Sequence, residues 1–535
     1  MTAVIHTILL MAAVLAAVAV AAKRLHIAPS ILLVVAGIGM ALIPGLPSIR
    51  LAPELVLLVI LPPLIYSAGV AMSWREFKYN LRPIALLAFG CVVFTTCAVA
   101  AAAHFFLGFS WAAGFLLGAI IAPPDVVAPL AIARRLGLPR RLVVILEGEG
   151  LANDATALIL YRFAVAAVST GLFSLGEAAG TFALIVVGEI IYGIAVGWLS
   201  LRLRQWAREP RVEITLSLMT PYLAYWVPEY FHGSGVLATV ACGLYVSWNG
   251  PRLIPSATRL QGIFFWDLIV YLIEGFVFLL TGLQARTLIE QTQAFSLREL
   301  LIATALVTAI AIAARFVWIF PLTYIPRWVS ASLRKRDPAP PWQGPFLLSF
   351  TGIRGVVSLA AALAIPYVMA NGQPFPHRDM ILFIVFGVIV ITLIGQGLML
   401  PSVVHWLGLS TIGKKEHAEE IERELRARQE ALEQVTKRLE KAIADHELPD
   451  VIATHLRTRN QIRLQVLPRN LTEDIDLLRR TAAVKKELID AERDFIHQLL
   501  RDGKITDEAR RRIEYELDLE EAGVANRGSE GGGWM

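Results

Sequence analysis

Long apolar stretches separated by short polar ones dominate residues 1–408 of the chain. An apolar window of about 20 residues crosses a hydrocarbon layer of about 30 Å as a helix. Such windows predict thirteen membrane-spanning segments, at residues 3–22, 28–46, 52–72, 83–107, 111–132, 142–168, 178–201, 213–228, 233–249, 263–284, 300–325, 344–370 and 379–407. The pattern therefore predicts an all-α polytopic membrane protein.

The polar stretches between these segments test the count, because Lys and Arg accumulate in loops on the cytoplasmic side of a membrane. Alternate connections carry 19 Lys and Arg residues on one side and only 4 on the other. Adding or removing one segment would scramble this bias. We therefore predict thirteen spans in the cell (inner) membrane, with the N-terminus outside and the C-terminus in the cytoplasm.

Segments five and twelve depart from a plain helical pattern. The fifth contains Pro123 and Pro124, which remove two backbone donors in mid-span and free carbonyl groups. The twelfth opens at Gly344 and places two further glycines, Gly352 and Gly355, around an arginine. Interrupted helices at corresponding positions of two halves indicate a binding site near the bilayer midplane. We therefore predict inverted repeats with two interrupted helices.

The composition changes to charged and helix-forming residues from about residue 409. Apolar residues from Ile421 to Ala442 recur at spacings of three and four, which is typical of an amphipathic helix. Further helices are expected from Thr472 to Leu500 and from Thr506 to Glu521. We predict a cytosolic helical domain at 409–527 and a disordered end at 528–535. The domain lacks a glycine-rich nucleotide fingerprint, and its ligand or partner stays open.

Overall composition supports the membrane assignment. The chain of 535 residues is 56% hydrophobic and 17% charged, which excludes an ordinary water-soluble domain. The net charge is +5, but the Lys and Arg residues between the apolar segments lie in short loops, where they indicate membrane topology. We therefore expect membrane lipid, and no nucleic acid, as a partner. Cys91, Cys97 and Cys242 lie in apolar stretches without histidines at ligand spacing, which indicates neither disulfides nor a zinc site.

Segment six carries the candidate chemistry. Glu147, Glu149, Asn153 and Asp154 interrupt an otherwise apolar span. A helix that begins near residue 142 places Asp154 roughly 18 Å deep, near the middle of the membrane. A charge at that depth costs at least ~2.5 kcal/mol, so an acid there indicates an ion or proton path.

Helical geometry divides these acids. Glu147, Gly150 and Asp154 share one face, whereas Glu149 points about 140° away from Asp154. We predict Arg354 as the ion-pair partner of Glu149, because a buried guanidinium without a partner is costly. Glu147 is expected either to line a funnel to the site or to face a loop.

We predict a cation and proton site around Asp154. Asp154, Asp125 and the backbone of Pro124 and Gly150 offer the oxygen ligands that hard cations prefer, with the two aspartates as ligands of a monovalent metal ion. Asn153 belongs to this site through hydrogen bonds that would hold the broken helices. The alternative for Asp125 is a helix-capping acid. A proton and a cation neutralise the same carboxylate, so they compete.

These motifs resemble the first monovalent cation:proton antiporter family, which comprises NhaP-like bacterial sodium/proton antiporters and eukaryotic NHE exchangers. The resemblance rests on Glu149–Asp154, Ala122–Asp125 and Gly352–Gly355. It extends to Leu61–Tyr66, Pro221–Leu237 and Glu274–Leu283, and therefore covers the membrane part but not the tail. The resemblance implies an NhaA/NhaP-like fold of thirteen helices, a homodimer, elevator-like alternating access, and electroneutral exchange associated with an Asn-Asp pair.

Two positions depart from the family pattern. Gly150 stands where the family often has serine, and Pro124 where it often has threonine. Two hydroxyl ligands are therefore missing, and water or backbone oxygen would replace them. The preference among sodium, potassium and lithium stays open.

The predicted function is secondary antiport of a monovalent alkali cation, sodium first, against protons, without an enzymatic reaction or a cofactor. A potassium/proton antiporter of the same fold is one alternative. A cation channel or uniporter is another, although no repeated filter sequence is visible. An intramembrane aspartyl protease would place Asp125 and Asp154 in Tyr-Asp and Gly-x-Gly-Asp contexts, which this chain lacks.

Overall fold

The structure is a computed structural model that describes residues 2–43, 51–170, 175–231, 233–292, 295–369, 372–445, 449–465 and 471–528. The chain divides into two compact units, Met1–Gly413 and Lys414–Met535. The boundary lies close to the change of composition at residue 409. The predicted disorder at 528–535 falls, apart from its first residue, outside the described residues.

The first unit is a helical bundle. Its described residues form helices and one isolated β-bridge, between Val368 and Pro374, but no strand. The helices of its first half are α1 (Thr2–Leu25), α2 (Pro29–Ala41), α3 (Leu61–Ala71), α4 (Trp74–Tyr79), α5 (Leu81–Ala85), α6 (Val92–Leu107), α7 (Trp111–Ile121), α8 (Val127–Leu136) and α9 (Arg140–Thr170).

The second half of the bundle continues in the same way. Its helices are α10 (Leu175–Ala207), α11 (Pro210–Tyr230), α12 (Gly235–Leu253), α13 (Ser256–Gln291), α14 (Leu297–Val329), α15 (Ala331–Arg336), α16 (Gln343–Phe350), α17 (Val356–Leu363), α18 (Arg378–Val390) and α19 (Gly397–Trp406).

Within the described residues, seven helical stretches are long and apolar enough to cross a membrane: Ile8–Leu25, Leu81–Leu107, Arg140–Thr170, Gly180–Ala207, Ser256–Gln291, Leu297–Val329 and Arg378–Trp406. The chain is therefore a multi-pass helical membrane protein, and the predicted all-α class is confirmed. Shorter apolar helices, such as Pro29–Ala41 and Trp111–Ile121, lie between the long ones. The count of thirteen spans stays a prediction.

Both predicted interruptions are present, and they meet. In the fifth segment α7 ends at Ile121 and α8 begins at Val127; in the twelfth α16 ends at Phe350 and α17 begins at Val356. The backbone N–H of Asp125 donates to the carbonyl of Ile353 at 2.7 Å. This bond joins the two non-helical stretches near the middle of their segments.

Six-residue π-helical turns precede α3, separate α5 from α6 and separate α18 from α19. A π turn displaces the regular helical hydrogen bonds and frees carbonyl groups. Aromatic donors satisfy some of these carbonyls: Trp226 Nε1 donates to Leu58 at 2.8 Å, and Trp318 Nε1 donates to Leu86 at 2.9 Å. Each bond ties a neighbouring helix to a π turn.

Glycine pairs bring the helices around the site into close contact. A Cβ atom on Gly37 of α2 would lie 2.9 Å from the Cα of Gly282 in α13, and one on Gly69 of α3 would lie 3.3 Å from the Cα of Gly243 in α12. Without side chains at these positions the backbones approach directly, as is common in membrane bundles. This packing fixes α3 and α13, which line the site described below.

The polar part of the chain forms the helices α20 (Leu409–Ala444), α21 (Asp450–Gln465), α22 (Leu471–Arg501) and α23 (Asp507–Gly528). Helix α22 agrees with its predicted bounds, whereas α20 begins before the predicted pattern, α23 continues past its predicted end, and α21 was not predicted. Within the second unit, Arg493 of α22 forms ion pairs with Asp518 at 2.5 Å and Glu521 at 2.6 Å in α23. These are exposed pairs, so they add little stability individually.

Candidate functional site

Helix α9 carries the acids of the motif through the bundle in 31 unbroken residues. Glu147, Gly150 and Asp154 all line one cavity, whereas Glu149 is buried on another face. The separation follows from helical geometry, which puts positions three and four apart on one side. The helix therefore presents two kinds of carboxylate to two different environments.

The cavity has a volume of about 190 Å³. Its walls come from α3, the stretch between α7 and α8, α9, α13 and the start of α17. Its charged lining residues are Asp125, Arg134, Glu147, Asp154 and Glu274. Four carboxylates against one guanidinium give it a formal excess of negative charge, which concentrates cations.

Within the part of the chain that the structure describes, Asp154, Asp125 and Glu274 have no cationic partner. Each is half-buried, and no Lys, Arg or His nitrogen of the described residues lies within 4.0 Å of any of the three carboxylates. A charge held in an apolar span without a counter-ion is costly, so a carboxylate there gains stability from a bound cation or proton. The cavity is therefore chemically suited to either occupant.

Asp125 has two roles in the structure. Its Oδ1 accepts the N–H of Val127, the first residue of α8, at 2.9 Å, so one oxygen stabilises a helix N-terminus. The residue nevertheless lines the cavity. A Cβ atom on Gly355 would collide with the Asp125 carboxylate, so this close approach requires glycine there. Asp125 therefore both caps α8 and lines the cavity.

Asn153 lies behind the cavity, not in its lining. It is fully buried, and its Nδ2 donates to the carbonyl of Pro124 at 2.7 Å, which ties α9 to the interrupted fifth segment. Its Oδ1 has no hydrogen-bond partner among the described residues. The Pro124 carbonyl keeps one further lone pair, since a carbonyl oxygen accepts two bonds.

Gly150 lines the cavity without adding a side chain to it. A Cβ atom there would lie 2.9 Å from Cγ1 of Val126 and closer still to its Cγ2. Val126 therefore leaves no space at this position for a side chain that carries a hydroxyl group.

The cationic partner of Glu149 is Arg315 of α14, not Arg354. Arg315 Nη1 donates to Glu149 Oε1 at 2.6 Å and Nη2 to Oε2 at 3.2 Å, and both side chains are 1% exposed. Arg315 Nη2 also donates to the carbonyl of Leu348 in α16 at 2.8 Å. This bidentate pair joins α9, α14 and the interrupted twelfth segment.

The predicted Glu149–Arg354 pair is therefore wrong. Arg354 donates to the backbone carbonyls of Ile121 and Gly352, and its own N–H donates to Thr392 Oγ1 at 3.0 Å. The physical reason is that a broken helix leaves carbonyls at its C-terminus unpaired, and a guanidinium is stabilised there. Ile121 is the last residue of α7.

Glu147 and Arg134 lie together at one end of the cavity, with Arg134 Nη2 at 2.8 Å from Glu147 Oε1. Glu147 therefore lines the approach to Asp154 as part of an ion pair. In the sequence, Glu274 is only the start of a stretch that carries the family resemblance, and it has no predicted place in the site. The structure places it in the cavity, and its signal was an acid in an apolar segment with no basic residue at helical spacing.

Arg162, about two helical turns beyond Asp154 on α9, and Glu189 of α10 both bond to the region where α11 ends and α12 begins. Arg162 donates to the carbonyl of Gly233 and to the carboxylate of Glu229, and Glu189 accepts the N–H of Ser234. The Arg162 bonds join α9 to the end of α11 and the turn that follows it, and the Glu189 bond joins α10 to the residue before α12.

Comparison with known families and proteins gives a consistent result. Residues 9–406 match the model of the sodium/hydrogen exchanger, transmembrane, family. An uncharacterised Na(+)/H(+) exchanger of Mycobacterium tuberculosis is 33% identical over 514 residues, which is 93% of this chain and 92% of that protein. The match therefore extends beyond the membrane part into the tail.

Two further relatives carry named activities. The Na(+)/H(+) antiporter of Aphanothece halophytica is 34% identical over 410 residues, 76% of this chain and 74% of that protein. A sodium, potassium, lithium and rubidium/H(+) antiporter of Bacillus pumilus is 34% identical over 377 residues, 68% of this chain and 56% of that protein.

The solved structure of a sodium proton antiporter from Methanocaldococcus jannaschii has a similar fold. It superposes with a TM-score of 0.61 at 18% identity, covering 76% of this chain and 97% of that one. This likeness supports the fold of the membrane unit.

Proposed function

Because the chain belongs to the sodium/hydrogen exchanger family, we propose that it exchanges sodium for protons by competition of the two ions for Asp154. The observation that carries this proposal is the cavity of Asp154, Asp125 and Glu274, three carboxylates without a cationic partner among the described residues. The protein is a secondary transporter and not an enzyme.

Competition follows from the chemistry of one carboxylate. An ionised Asp154 binds either a proton, which forms a neutral acid, or a cation, which its oxygens coordinate. Asp125 keeps one oxygen beyond its bond to Val127, and the Pro124 carbonyl keeps one lone pair beyond its bond to Asn153. With the Gly150 backbone and water, these would complete an oxygen shell of the kind hard cations prefer.

Exchange at such a site is electroneutral in our proposal. One monovalent cation replaces one proton on Asp154, so the charge of the loaded site is the same in both directions of transport. The neighbouring Asn153 is neutral and is held by its bond to Pro124. That arrangement supports a single exchanging carboxylate on α9.

We further propose alternating access by an elevator-like movement. Asn153, the Glu149–Arg315 pair and Arg354 lock α9 and α14 to the interrupted segments, so these elements would move as one body. The opposite cavity wall belongs to α3 and α13. The bonds of Arg162 to α11 and the turn that follows it would break when the site opens to the other side.

The orientation and the assembly are also proposals. The bias of Lys and Arg among the loops assigns the Arg134 end of the cavity to the cytoplasm, with the N-terminus outside and the C-terminus inside the cell membrane. The homodimer rests on the family resemblance alone.

Potassium/proton exchange at the same site is a second candidate. It is favoured by the missing hydroxyl at Gly150, where Val126 leaves no room for a side chain. The Bacillus pumilus relative, which is named for four alkali cations, is consistent with a broad site.

The proposal is tested with everted vesicles that contain a pH-sensitive dye. Adding sodium, potassium, lithium or rubidium to the wild-type chain should release protons and change the dye signal for at least one cation. Asp154→Asn should abolish this response. Asp267→Asn is the matched control, because Asp267 is an exposed acid of α13 outside the cavity. A response that persists in Asp154→Asn would remove Asp154 from the mechanism.

A further inference from the structure

A second cavity, of about 100 Å³, lies in the membrane unit and shares no lining residue with the first. It is bounded by α5 and the π turn after it, the first residues of α9, the second half of α14, the loop that contains Asp337, and α16. Cation exchange as proposed above assigns it no role.

One end of this cavity is positively charged. Arg82, Arg141, Arg327 and Asp337 are its ionisable lining residues, so three guanidinium groups face one carboxylate. Partial burial raises the pKa of the Asp337 carboxyl, but its bonds to Arg141 and Arg327 outweigh burial and lower the pKa below its ordinary value. Asp337 therefore stays ionised at neutral pH, and the formal net charge of this end is +2.

The three arginines are not equivalent. Arg327 uses its donors on Asp337 and on the Thr323 carbonyl, including a 2.5 Å bond to Asp337 Oδ2, and is 10% exposed. Arg141 donates to Asp337 and Asn80 and is 39% exposed. Arg82 is exposed and forms no ion pair with any described residue. Two guanidinium groups, those of Arg82 and Arg141, therefore keep donors for a ligand.

The rest of the cavity is apolar. Its walls are formed by the leucine, isoleucine and tryptophan side chains of four elements: Leu86, Leu87, Leu142, Ile145, Trp318, Ile319, Leu322 and Leu348. The indole N–H of Trp318 is already bonded to the Leu86 carbonyl that the π turn frees, so its ring presents only apolar surface. A small hydrophilic ion would make no favourable contact with these apolar walls.

We propose that this cavity binds the phosphate group of an anionic phospholipid, with Arg82 and Arg141 as phosphate ligands and the lipid's first apolar carbons against Leu86 and Trp318. A charged end continuous with an apolar wall matches the two parts of a phospholipid. Its arginines belong to the loops that carry the excess of Lys and Arg, and basic pockets between helices on that side suit lipid phosphates. Arg327 forms the ion pair that positions Asp337 in the cavity wall and is not assigned as a phosphate ligand.

The site is tested on the full-length chain in detergent. Thermal unfolding is measured with added phosphatidylglycerol, with phosphatidylcholine of the same acyl chains, and with glycerol phosphate. We expect phosphatidylglycerol alone to raise the apparent Tm by about 2 °C or more. Equal stabilisation by phosphatidylcholine would overturn the role of the anionic group, and equal stabilisation by glycerol phosphate would overturn the lipid as the source of the phosphate.

Variants locate the effect. Arg82→Gln should fold normally, because Arg82 has no ion-pair partner to strand, and should weaken phosphatidylglycerol binding about tenfold in a titration, while Arg82→Lys should retain most of it. Arg75→Gln is the control, since Arg75 is an exposed arginine of α4 outside the cavity. If Arg75→Gln weakens binding as much as Arg82→Gln does, the attraction is diffuse and the assigned site is wrong.

Discussion

At the scale of single residues, the acids of the membrane unit fall into two classes. Glu149 and Glu147 have guanidinium partners at 2.6 Å and 2.8 Å, whereas Asp154, Asp125 and Glu274 have none among the described residues. A paired acid is stabilised in its charged form and is suited to holding helices together. An unpaired acid can exchange its neutralising ion, so the proposed exchange uses the second class.

The Glu149–Arg315 pair predicts a stability effect. Arg315→Ala would leave Glu149 buried without its cation, which costs on the order of 3–5 kcal/mol of unfolding free energy. We expect a large fall in yield and apparent Tm, and partial recovery in the double variant Glu149→Gln with Arg315→Met. Unfolding of Arg315→Ala at the wild-type temperature would show that the pair is not structural.

Glu274 predicts an effect on affinity. It lines the cavity beside the other acids but has no ion-pair partner to lose, so Glu274→Gln should fold and should lower the attraction for cations. We expect the apparent KM for the cation to rise roughly two- to tenfold, with Vmax largely kept. Asp267→Asn controls for removing an acid from α13. An unchanged KM in Glu274→Gln would exclude Glu274 from the cation's approach.

At the scale of elements, the interrupted segments form the centre of the unit. The non-helical stretches after α7 and α16 are joined by a backbone bond, and Arg354 donates to the carbonyls of Ile121 at the end of α7 and of Gly352 in the second stretch. Helix α9 is fixed to this junction by Asn153 and to α14 by the Glu149–Arg315 pair. We therefore expect these helices to move as one group, as the proposed alternating access requires.

The bonds of Arg162 predict a local effect on dynamics. Arg162→Gln removes the bonds of α9 to Gly233 and Glu229, so the turn between α11 and α12 should open more often. We expect faster hydrogen exchange of the amides around Ser234. Arg286→Gln, which breaks an exposed pair with Glu290 elsewhere, is the control. Exchange that stays at the wild-type rate in Arg162→Gln would show that this contact does not hold the turn.

The sequence predicted elements better than contacts between them. Pro123 and Pro124 predict a break in the helix because they cannot donate backbone hydrogen bonds, and the structure confirms this break. The partner of Glu149 could not be predicted in this way, because Arg315 lies 166 residues away and no periodicity reports which of two buried arginines faces an acid. The bond of Arg354 to Ile121 could not be predicted either, because it forms only when the folded chain brings the end of α7 next to the interrupted twelfth segment.

At the scale of the whole molecule, hydropathy and charge predicted a multi-pass helical membrane protein, and the structure confirms it. Among the described residues, seven helical stretches are long and apolar enough to cross a membrane, and two of them, Leu81–Leu107 and Arg378–Trp406, contain a π turn. The other predicted segments contain short, interrupted or more polar helices, so length and composition alone do not identify them as spans. The departures from a plain span include both interrupted segments of the site.

The central claim, that a cation and a proton compete for one carboxylate, concerns transport by the whole molecule. The most direct test measures the apparent KM for sodium in proteoliposomes of the wild-type chain over a range of pH. As pH falls, protonation should occupy Asp154, and the apparent KM should rise toward about tenfold per pH unit while Vmax at saturating sodium is kept. A KM that does not change with pH would contradict the account.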